Sequence, residues 1–170
     1  MGIVRLVELM PDDGQKAAEL AHLAADIWRE HYTPMIGRAQ VEYMLEKYQS
    51  EEKILSDVRT NGYRYFMAYD DDNMVGYCAA KPEYEKKGLL LSKFYVEKSN
   101  RGRGISRRMH DKLIEIAAEE GLSYIWLTVN KRNYDSIDIY KKLGFTIVEE
   151  LITDIGSGFS MDDYKMRMEL

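Results

Sequence analysis

An arginine- and glycine-rich segment joins a predicted strand directly to a predicted helix, and its residue types suit the binding of phosphate groups. The segment runs from Val96 to Ser106 and contains Gly102 and Gly104. Two glycines let the backbone curl so that successive amide N–H groups point into one concave site. The free amides and the positive dipole end of the following helix favour a diphosphate there. Positive side chains surround it: Lys98, Arg101, Arg103, Arg107 and Arg108.

Other phosphate- or nucleic-acid-binding motifs fit this segment less well. It is not a Walker loop, because no Gly-Lys-Ser/Thr follows the glycines. It matches the dinucleotide pattern only in part, since Arg107 takes the place of the third glycine, and helices and a hairpin precede it. A short Arg-Gly segment in an acidic chain is not typical of RNA binding. From the glycines alone, a solvated helix start stays an open alternative.

A second segment places an asparagine and a tyrosine on one predicted helix. Asn133 opens this helix and can cap it by accepting a backbone N–H. Tyr140 lies further along, and a phenol can act as a general acid. Taken alone, a tyrosine at this spacing is also explained as amphipathic core with its hydroxyl hydrogen-bonded at an edge. Gly144 and Phe145 end the helix and begin a strand.

The predicted elements that position both segments alternate between helices and hairpin-linked strands. The predicted strands are 3–9, 63–69, 74–80, 89–96, 124–129, 145–151 and 163–169. Helical spacing covers Ala17 to Trp28 before a turn at Thr33-Pro34, then 41–48, a short helix from Ser50, 105–120 and 133–143. This order predicts an α/β chain with a mixed sheet and helices on both faces. Such sheets bind ligands where strand ends splay or change direction.

Composition and length narrow the class of protein. The chain has 170 residues without repeats or a Pro-rich linker, which predicts one domain over residues 1–170. A net charge of −5 argues against nucleic acid as a partner. No apolar run is long enough to span a bilayer, and no signal pattern opens the chain, so we expect no membrane partner. The single cysteine, Cys78, fits a reducing compartment, and we expect a cytoplasmic protein with no metal site.

Together the two segments resemble two motifs of the GCN5-related N-acetyltransferase (GNAT) superfamily. Arg101, Gly104 and Ser106 fill the motif Gln/Arg-x-x-Gly-x-Gly/Ala, with a small serine at the last position. The stretch from Asn133 to Phe145 matches Asn-x-x-Ser/Ala-Ile followed by Tyr-x-x-x-Gly-Phe. The resemblance covers roughly residues 74 to 150. It implies the GNAT fold, a mixed, mostly antiparallel sheet with helices on both faces and splayed central strands.

The resemblance also implies an activity and a set of site residues. We expect an N-acetyltransferase that moves acetyl from acetyl-CoA to a primary amine of a small molecule or peptide. Transfer would occur by direct attack in a ternary complex, with Tyr140 as the general acid. The implied cofactor-binding residues are Phe94, Tyr95, Val96, Arg101, Gly102, Arg103, Gly104, Ile105, Ser106, Asn133 and Ser136. Cys78, in mid-strand, is expected to be a small core residue and not a nucleophile.

The residues that would bind the acceptor amine are less clearly indicated than those that would bind the cofactor. By the same resemblance, Trp28 and Tyr32 at the end of the first helix would bind the acceptor; the alternative is an ordinary helix end with Trp28 in the core. The Gly/Ser-containing stretch 154–161 resembles the acceptor-side loop of polyamine-type, PaiA-like acetyltransferases. Acidic neighbours there suggest a cationic amine, and a solvated hairpin loop is the alternative. The general base stays open between Glu30, His31, Glu97 and a water chain.

The sequence is compatible with several acceptors, functions and assemblies. Polyamine, amino acid, aminoglycoside, peptide N-terminus and lysine are all compatible acceptors. A non-catalytic acyl-CoA-binding sensor is the alternative function, and a homodimer is an open possibility for the assembly.

Overall fold

The computed structural model describes residues 4–170, which form a seven-stranded sheet with helices packed on it. The strands are β1 (Val4–Glu8), β2 (Arg64–Asp70), β3 (Asn73–Glu83), β4 (Gly88–Val96), β5 (Tyr124–Asn130), β6 (Thr146–Gly156) and β7 (Phe159–Glu169). The helices are α1 (Gly14–Ile36), α2 (Arg38–Tyr48), α3 (Glu51–Thr60), α4 (Ile105–Glu119) and α5 (Tyr134–Leu143), with a 3-10 turn at Lys98–Asn100. The α/β class is confirmed. Ile3, which the predicted first strand included, lies outside the described residues.

The sheet is mixed and mostly antiparallel, in the order β1-β2-β3-β4-β5-β7-β6. Its one parallel pair, β4 with β5, is short and joins Gly88–Leu90 to Tyr124–Trp126. Beyond these residues the two strands share no ladder within the described chain, so they splay apart in the middle of the sheet. The predicted splayed central strands are therefore confirmed.

A bulge in β4 accounts for much of this separation. Lys93 pairs with Ala79, whereas Leu91 pairs with Ala80, so Ser92 is an additional residue on the β4 side. A bulge bends its strand and increases the local twist. The C-terminal half of β4 is thereby turned away from β5, and its main-chain groups on that side are left without a strand partner.

Two apolar cores lie on opposite faces of the sheet. One core contains Met109, Leu113 and Ile116 of α4 and Ile137 of α5. The other is formed by α1, α2 and α3 against the opposite face. Along β2, Phe66 belongs to the first core, and its neighbours Tyr65 and Met67 belong to the second, as the two-residue period of a strand requires.

Helix α1 runs through Pro34 to Ile36, so the turn predicted at Thr33-Pro34 is wrong. A proline removes one backbone donor, and near the end of a helix this loses only a single hydrogen bond. The last turn is held from outside, because Arg132 donates to the Met35 carbonyl at 2.8 Å. The helix ends at Gly37, where φ is 84°. None of the helices described between residues 4 and 170 is long and apolar enough to cross a membrane.

Strands β6 and β7 extend into the stretch 154–161, which was predicted to be a loop along its whole length. Only Ser157 and Gly158 form the turn, with φ of 53° and 78°. Positive φ at both positions is the geometry of a two-residue type I′ hairpin. The hairpin is also fixed to α2, because Tyr43 donates to the Ile155 carbonyl at 2.7 Å. The loop prediction is therefore wrong.

Candidate active site

Two cavities open beside the separated strands β4 and β5. The first, here the turn cavity, lies beside the arginine–glycine segment and has a volume of about 390 Å³. The second, here the aromatic cavity, lies between α1, α2, β4, β5 and the β6–β7 hairpin and has a volume of about 350 Å³. Four residues line both: Phe94, Tyr95, Ser136 and Tyr140. The cavities therefore meet where β4 and α5 come together.

The turn cavity has the features that a diphosphate needs. Gly102 and Gly104 both line it, with φ of 79° and 78°, and no atom lies within 4 Å of where a Cβ would stand at either position. The first amides of α4, at residues 105–107, have no hydrogen-bond acceptor within the described chain. They point outward from the positive end of the helix dipole. The residues present thus fit a phosphate-bearing ligand.

The arginines of the segment differ in their contacts. Arg101 lines the turn cavity, and its Nε donates to the Val96 carbonyl at 3.2 Å. Arg103 instead donates to Asp70 at 3.0 Å and to Asn100 at 2.6 Å, and it is not part of the cavity lining. The Arg103 side chain therefore lies outside the lining of the predicted cofactor site. Only a contact through its main chain remains a prediction. Arg107 contributes a second positive side chain to the lining.

The strand and helix residues predicted around the turn are also placed here. Phe94, Tyr95 and Val96 line the turn cavity along the part of β4 that pairs with β3 but has no strand partner on the β5 side. Ile105 and Ser106 line it at the start of α4. An extended ligand chain could therefore run along β4 and bond with its free main-chain groups in the manner of a strand.

Tyr140 stands at the junction of the two cavities. Its side chain is 9% exposed and packs its ring against Phe94 at 5.9 Å and Phe145 at 5.7 Å between centroids. Its hydroxyl has no hydrogen-bond partner among the described residues. Burial raises the pKa of Tyr140 well above its usual value, so the hydroxyl keeps its proton at neutral pH.

Asn133 has a structural role that sequence reasoning anticipated. Its Oδ1 caps α5 by accepting from the Ser136 amide at 3.3 Å. The same oxygen accepts from His31 Nε2 at 3.1 Å, which assigns the proton to that nitrogen. Asn133 lines the aromatic cavity and not the turn cavity, so its predicted contact with the cofactor remains a prediction.

Trp28 and Tyr32, predicted on the acceptor side, both line the aromatic cavity. Trp28 Nε1 donates to the Tyr77 hydroxyl at 3.0 Å. The hydroxyls of Tyr32 and Tyr95 are 2.8 Å apart and form a hydrogen bond. These bonds fix the orientation of the aromatic wall, because each buried polar tip has a partner.

Similarity to known proteins shows which family the chain belongs to. The sequence profile described as "Acetyltransferase (GNAT) family" matches residues 19–145. The chain belongs to this family. It is 26% identical over 146 residues to an "uncharacterized N-acetyltransferase in pepI 3′ region" of Lactobacillus delbrueckii subsp. lactis, covering 80% of this chain and 84% of that protein. It is 27% identical over 124 residues to a probable spermine N(1)-acetyltransferase of Bacillus subtilis subsp. natto, covering 68% and 79%.

The fold is shared with solved GNAT structures. The PaiA N-acetyltransferase of Thermoplasma acidophilum, solved in complex with coenzyme A, superposes with a TM-score of 0.79 over 99% of each chain, at 18% identity. GNAT proteins are N-acetyltransferases that use acetyl-CoA. The predicted family, fold, enzyme class and cofactor are therefore confirmed.

The GNAT chain carries two charged side chains in the lining of its aromatic cavity, Asp163 and Lys93. Asp163 lies on β7 and is 3% exposed, and its carboxylate has no hydrogen-bond or ion-pair partner among the described residues. Desolvation raises the pKa of Asp163 to about 6, with a smaller contribution from Asp162. In the sequence, Asp163 is recognisable only as an acidic residue close to the stretch 154–161.

Lys93 lies on β4 directly after the bulge. Its Nζ donates to Ser92 Oγ at 2.6 Å and has no ion-pair partner among the described residues. Desolvation lowers the pKa of Lys93 to about 8, so the side chain is still mostly charged at neutral pH. No motif in the sequence points to Lys93.

Of the three side chains predicted as general bases, His31 alone lines one of the two cavities. Glu30 lies 3.5 Å from Arg101 and 3.7 Å from Lys98, outside both cavity linings. Glu97 accepts from Ser99 at 2.7 Å within the 3-10 turn and is likewise outside both linings. His31 does line the turn cavity, and burial lowers its pKa, followed by the charge of Arg101.

Proposed function

We propose that this chain is a single N-acetyltransferase domain, residues 1–170, that transfers acetyl from acetyl-CoA to a primary amine of a small molecule or peptide. Transfer is by direct attack while both substrates are bound. The observation that carries the proposal is the meeting of the turn cavity and the aromatic cavity at Tyr140. One cavity fits a diphosphate-bearing ligand, and the other offers a buried carboxylate to an amine.

The turn cavity would hold acetyl-CoA through the amides of residues 105–107, with Arg101 and Arg107 beside the phosphates. The free edge of β4 would hold the chain that leads to the acetyl group. Acetyl-CoA supplies a thioester, whose carbonyl carbon accepts the amine. The residues of the chain supply alignment, which converts an encounter of two molecules into a reaction within one complex.

Three protons move during transfer. Asp163 accepts one proton of the bound ammonium, which leaves a neutral amine nitrogen with a free electron pair. The nitrogen bonds to the carbonyl carbon, the carbon–sulfur bond then breaks, and Tyr140 donates its proton to the departing sulfur. The new amide nitrogen loses its second proton, which returns Tyr140 to the neutral form that burial favours.

The surroundings of Cys78 support direct attack over a covalent enzyme intermediate. Cys78 is fully buried in the core between the sheet and α4, and it lines neither cavity. Burial raises the pKa of the Cys78 thiol to about 12. A thiol in this state is a poor nucleophile at neutral pH.

A panel of amines tests the proposed function. Polyamines, amino acids, aminoglycosides, lysine peptides and peptide N-termini are each incubated with acetyl-CoA, and release of free thiol is followed. Binding of acetyl-CoA is measured separately by calorimetry. Turnover of an amine supports the proposal, and binding of acetyl-CoA without turnover of any amine would favour the non-catalytic sensor.

Tyr140→Phe tests the proton donor. We expect kcat to fall by about 10²- to 10⁴-fold, because a positioned acid is lost while the ring is kept. The dissociation constant for coenzyme A should change little. Tyr134→Phe is the matched control, since Tyr134 opens the same helix and is 71% exposed. Equal kcat in wild type and Tyr140→Phe would remove the proposed role.

A further inference from the structure

The aromatic cavity is built for a ligand that carries both signs of charge. Its lining contains one cation, Lys93, and one anion, Asp163, and no other charged side chain of the described residues. The two groups do not form an ion pair with one another or with any other described residue. Each charged group taken out of water requires a partner, and a ligand of opposite charge supplies one.

Lys93 is held in the cavity by the sheet. The bulge at Ser92 puts Lys93 opposite Ala79, on the face of β4 that carries Tyr95 and looks toward α1–α3. The acidic residue of that helical layer whose charge acts on Lys93, Asp57, is already engaged by Lys53 at 2.8 Å and by Asn61 at 2.8 Å. The ammonium of Lys93 therefore remains available to an anion that enters the cavity.

Asp163 is placed to face the other end of such a ligand. It lies on β7 opposite Asn130, where β5 ends beside the junction with the turn cavity. Asn133 and Tyr140 line the cavity with it. An amine at Asp163 therefore sits on the same side of the cavity as the proposed proton donor.

We propose that the acceptor is an amino acid-like molecule, in which the amine faces Asp163 and a carboxylate is bound by the ammonium of Lys93. This inference rests on the proposed function and names its acceptor class. Much of the remaining lining is apolar or aromatic, including Trp28, Ile36, Met44, Leu151, Ile155 and Met161, with polar side chains such as Gln40, Thr128 and Thr153 among them. A mainly hydrocarbon chain or ring between the two charges of the acceptor suits this lining.

A polyamine fits this cavity less well. Its second ammonium would lie in a low-dielectric site with Lys93, and like charges that are both desolvated repel strongly. The same cavity would leave the Lys93 ammonium without an anion. The charge of the lining thus favours an amine with a carboxylate over an amine with a second amine.

Three five-carbon acceptors that differ only at one end test the inference: δ-aminovalerate, pentylamine and cadaverine. They present a carboxylate, a methyl group and an ammonium to the Lys93 end of the cavity. We expect wild-type kcat/KM for the carboxylate compound, or for lysine as a branched analogue, to exceed the other two by roughly 10- to 100-fold. Equal or higher kcat/KM for cadaverine would overturn the inference.

Two variants assign the preference to Lys93. Lys93→Met keeps the length of the side chain and should abolish the preference for the carboxylate, and Lys93→Glu should shift it toward cadaverine. Lys81→Met is the matched control, because Lys81 lies over the Tyr63 ring and outside the cavity lining. A preference that survives in Lys93→Met would overturn the inference.

A binding measurement separates this inference from the proposed function. Calorimetry with δ-aminovalerate is carried out on the wild type and on Lys93→Met, with and without coenzyme A. If no amine is acetylated, the proposed function fails. If δ-aminovalerate nevertheless binds to the wild type and not to Lys93→Met, the carboxylate site is still supported. Equal binding to both proteins, or none to the wild type, would overturn the site whatever the turnover.

Discussion

The ionisation of Asp163 links acceptor activation to pH. Its pKa is raised to about 6 by desolvation, and only the ionised form can accept a proton. We therefore expect kcat/KM to rise with pH through about 6 and then to level off, since this parameter reports the free enzyme. Asp163→Asn should lower kcat/KM by on the order of 10²-fold and remove the acid limb.

The neighbouring Asp162 provides the control for this pH profile. Asp162 lies outside both cavity linings and forms an ion pair with Lys131 at 2.9 Å. Asp162→Asn should keep the rate at neutral pH and an acid limb, which moves slightly to lower pH because the charge of Asp162 no longer raises the pKa of Asp163. A limb near pH 6 that persists in Asp163→Asn would assign it to a different group, of which His31 is the nearest to the site.

Local motifs made some site residues predictable and others not. Tyr140 and Gly104 belong to short patterns whose chemistry depends on neighbours in sequence, and both line the turn cavity. Asp163 and Lys93 stand in no such pattern. Their placement in one cavity depends on tertiary structure. The separation of β4 from β5 and the bulge at Ser92 bring distant parts of the chain around that cavity.

At the scale of elements, the turn before α4 is the part most directly shaped for a ligand. Gly104 is in the left-handed region, and the space where its Cβ would stand is open. Gly104→Ala would strain the backbone and put a methyl group where a diphosphate approaches the amides. We expect the dissociation constant for coenzyme A to rise by about 10-fold or more, measured by calorimetry.

Gly121→Ala is the control that distinguishes backbone strain from a lost ligand contact. It follows the other end of α4, has a φ of 69°, and also has open space around its Cβ position. Gly121→Ala should lower the melting temperature about as much as Gly104→Ala and leave coenzyme A binding unchanged. Similar dissociation constants for both variants would mean that the turn at Gly104 does not contact the diphosphate.

Element boundaries were predictable where local signals decide them. Gly144 and Asn133 bound α5 as expected from cap chemistry. Two elements were mispredicted because tertiary contacts override composition. The end of α1 is supported past Pro34 by a bond from Arg132, and the β6–β7 hairpin is held by Tyr43 of α2.

At the scale of the whole molecule, the charges that serve the aromatic cavity reduce the stability of the fold. Asp163 is buried without a partner, and its pKa moves from 3.8 to about 6. A shift of this size corresponds to about 2 to 3 kcal/mol of unfolding free energy lost when the carboxylate is ionised. The cost is fully present above pH 6 and vanishes below the unfolded-state pKa, because protonation relieves it.

Asp163→Asn should therefore make the protein less active and more stable. The amide removes a buried charge and keeps the volume of the side chain, so the melting temperature at pH 7.5 should rise by roughly 2 to 8 °C. The gain should shrink as the pH is lowered toward 4, where the wild-type carboxyl is neutral. Thermal denaturation across this pH range checks it, with Asp162→Asn as the exposed control. A lower melting temperature for Asp163→Asn at pH 7.5 would show that the ionised carboxylate is stabilised in the folded chain. Asp163 would then be part of the scaffold and not a group kept at a cost for the acceptor amine.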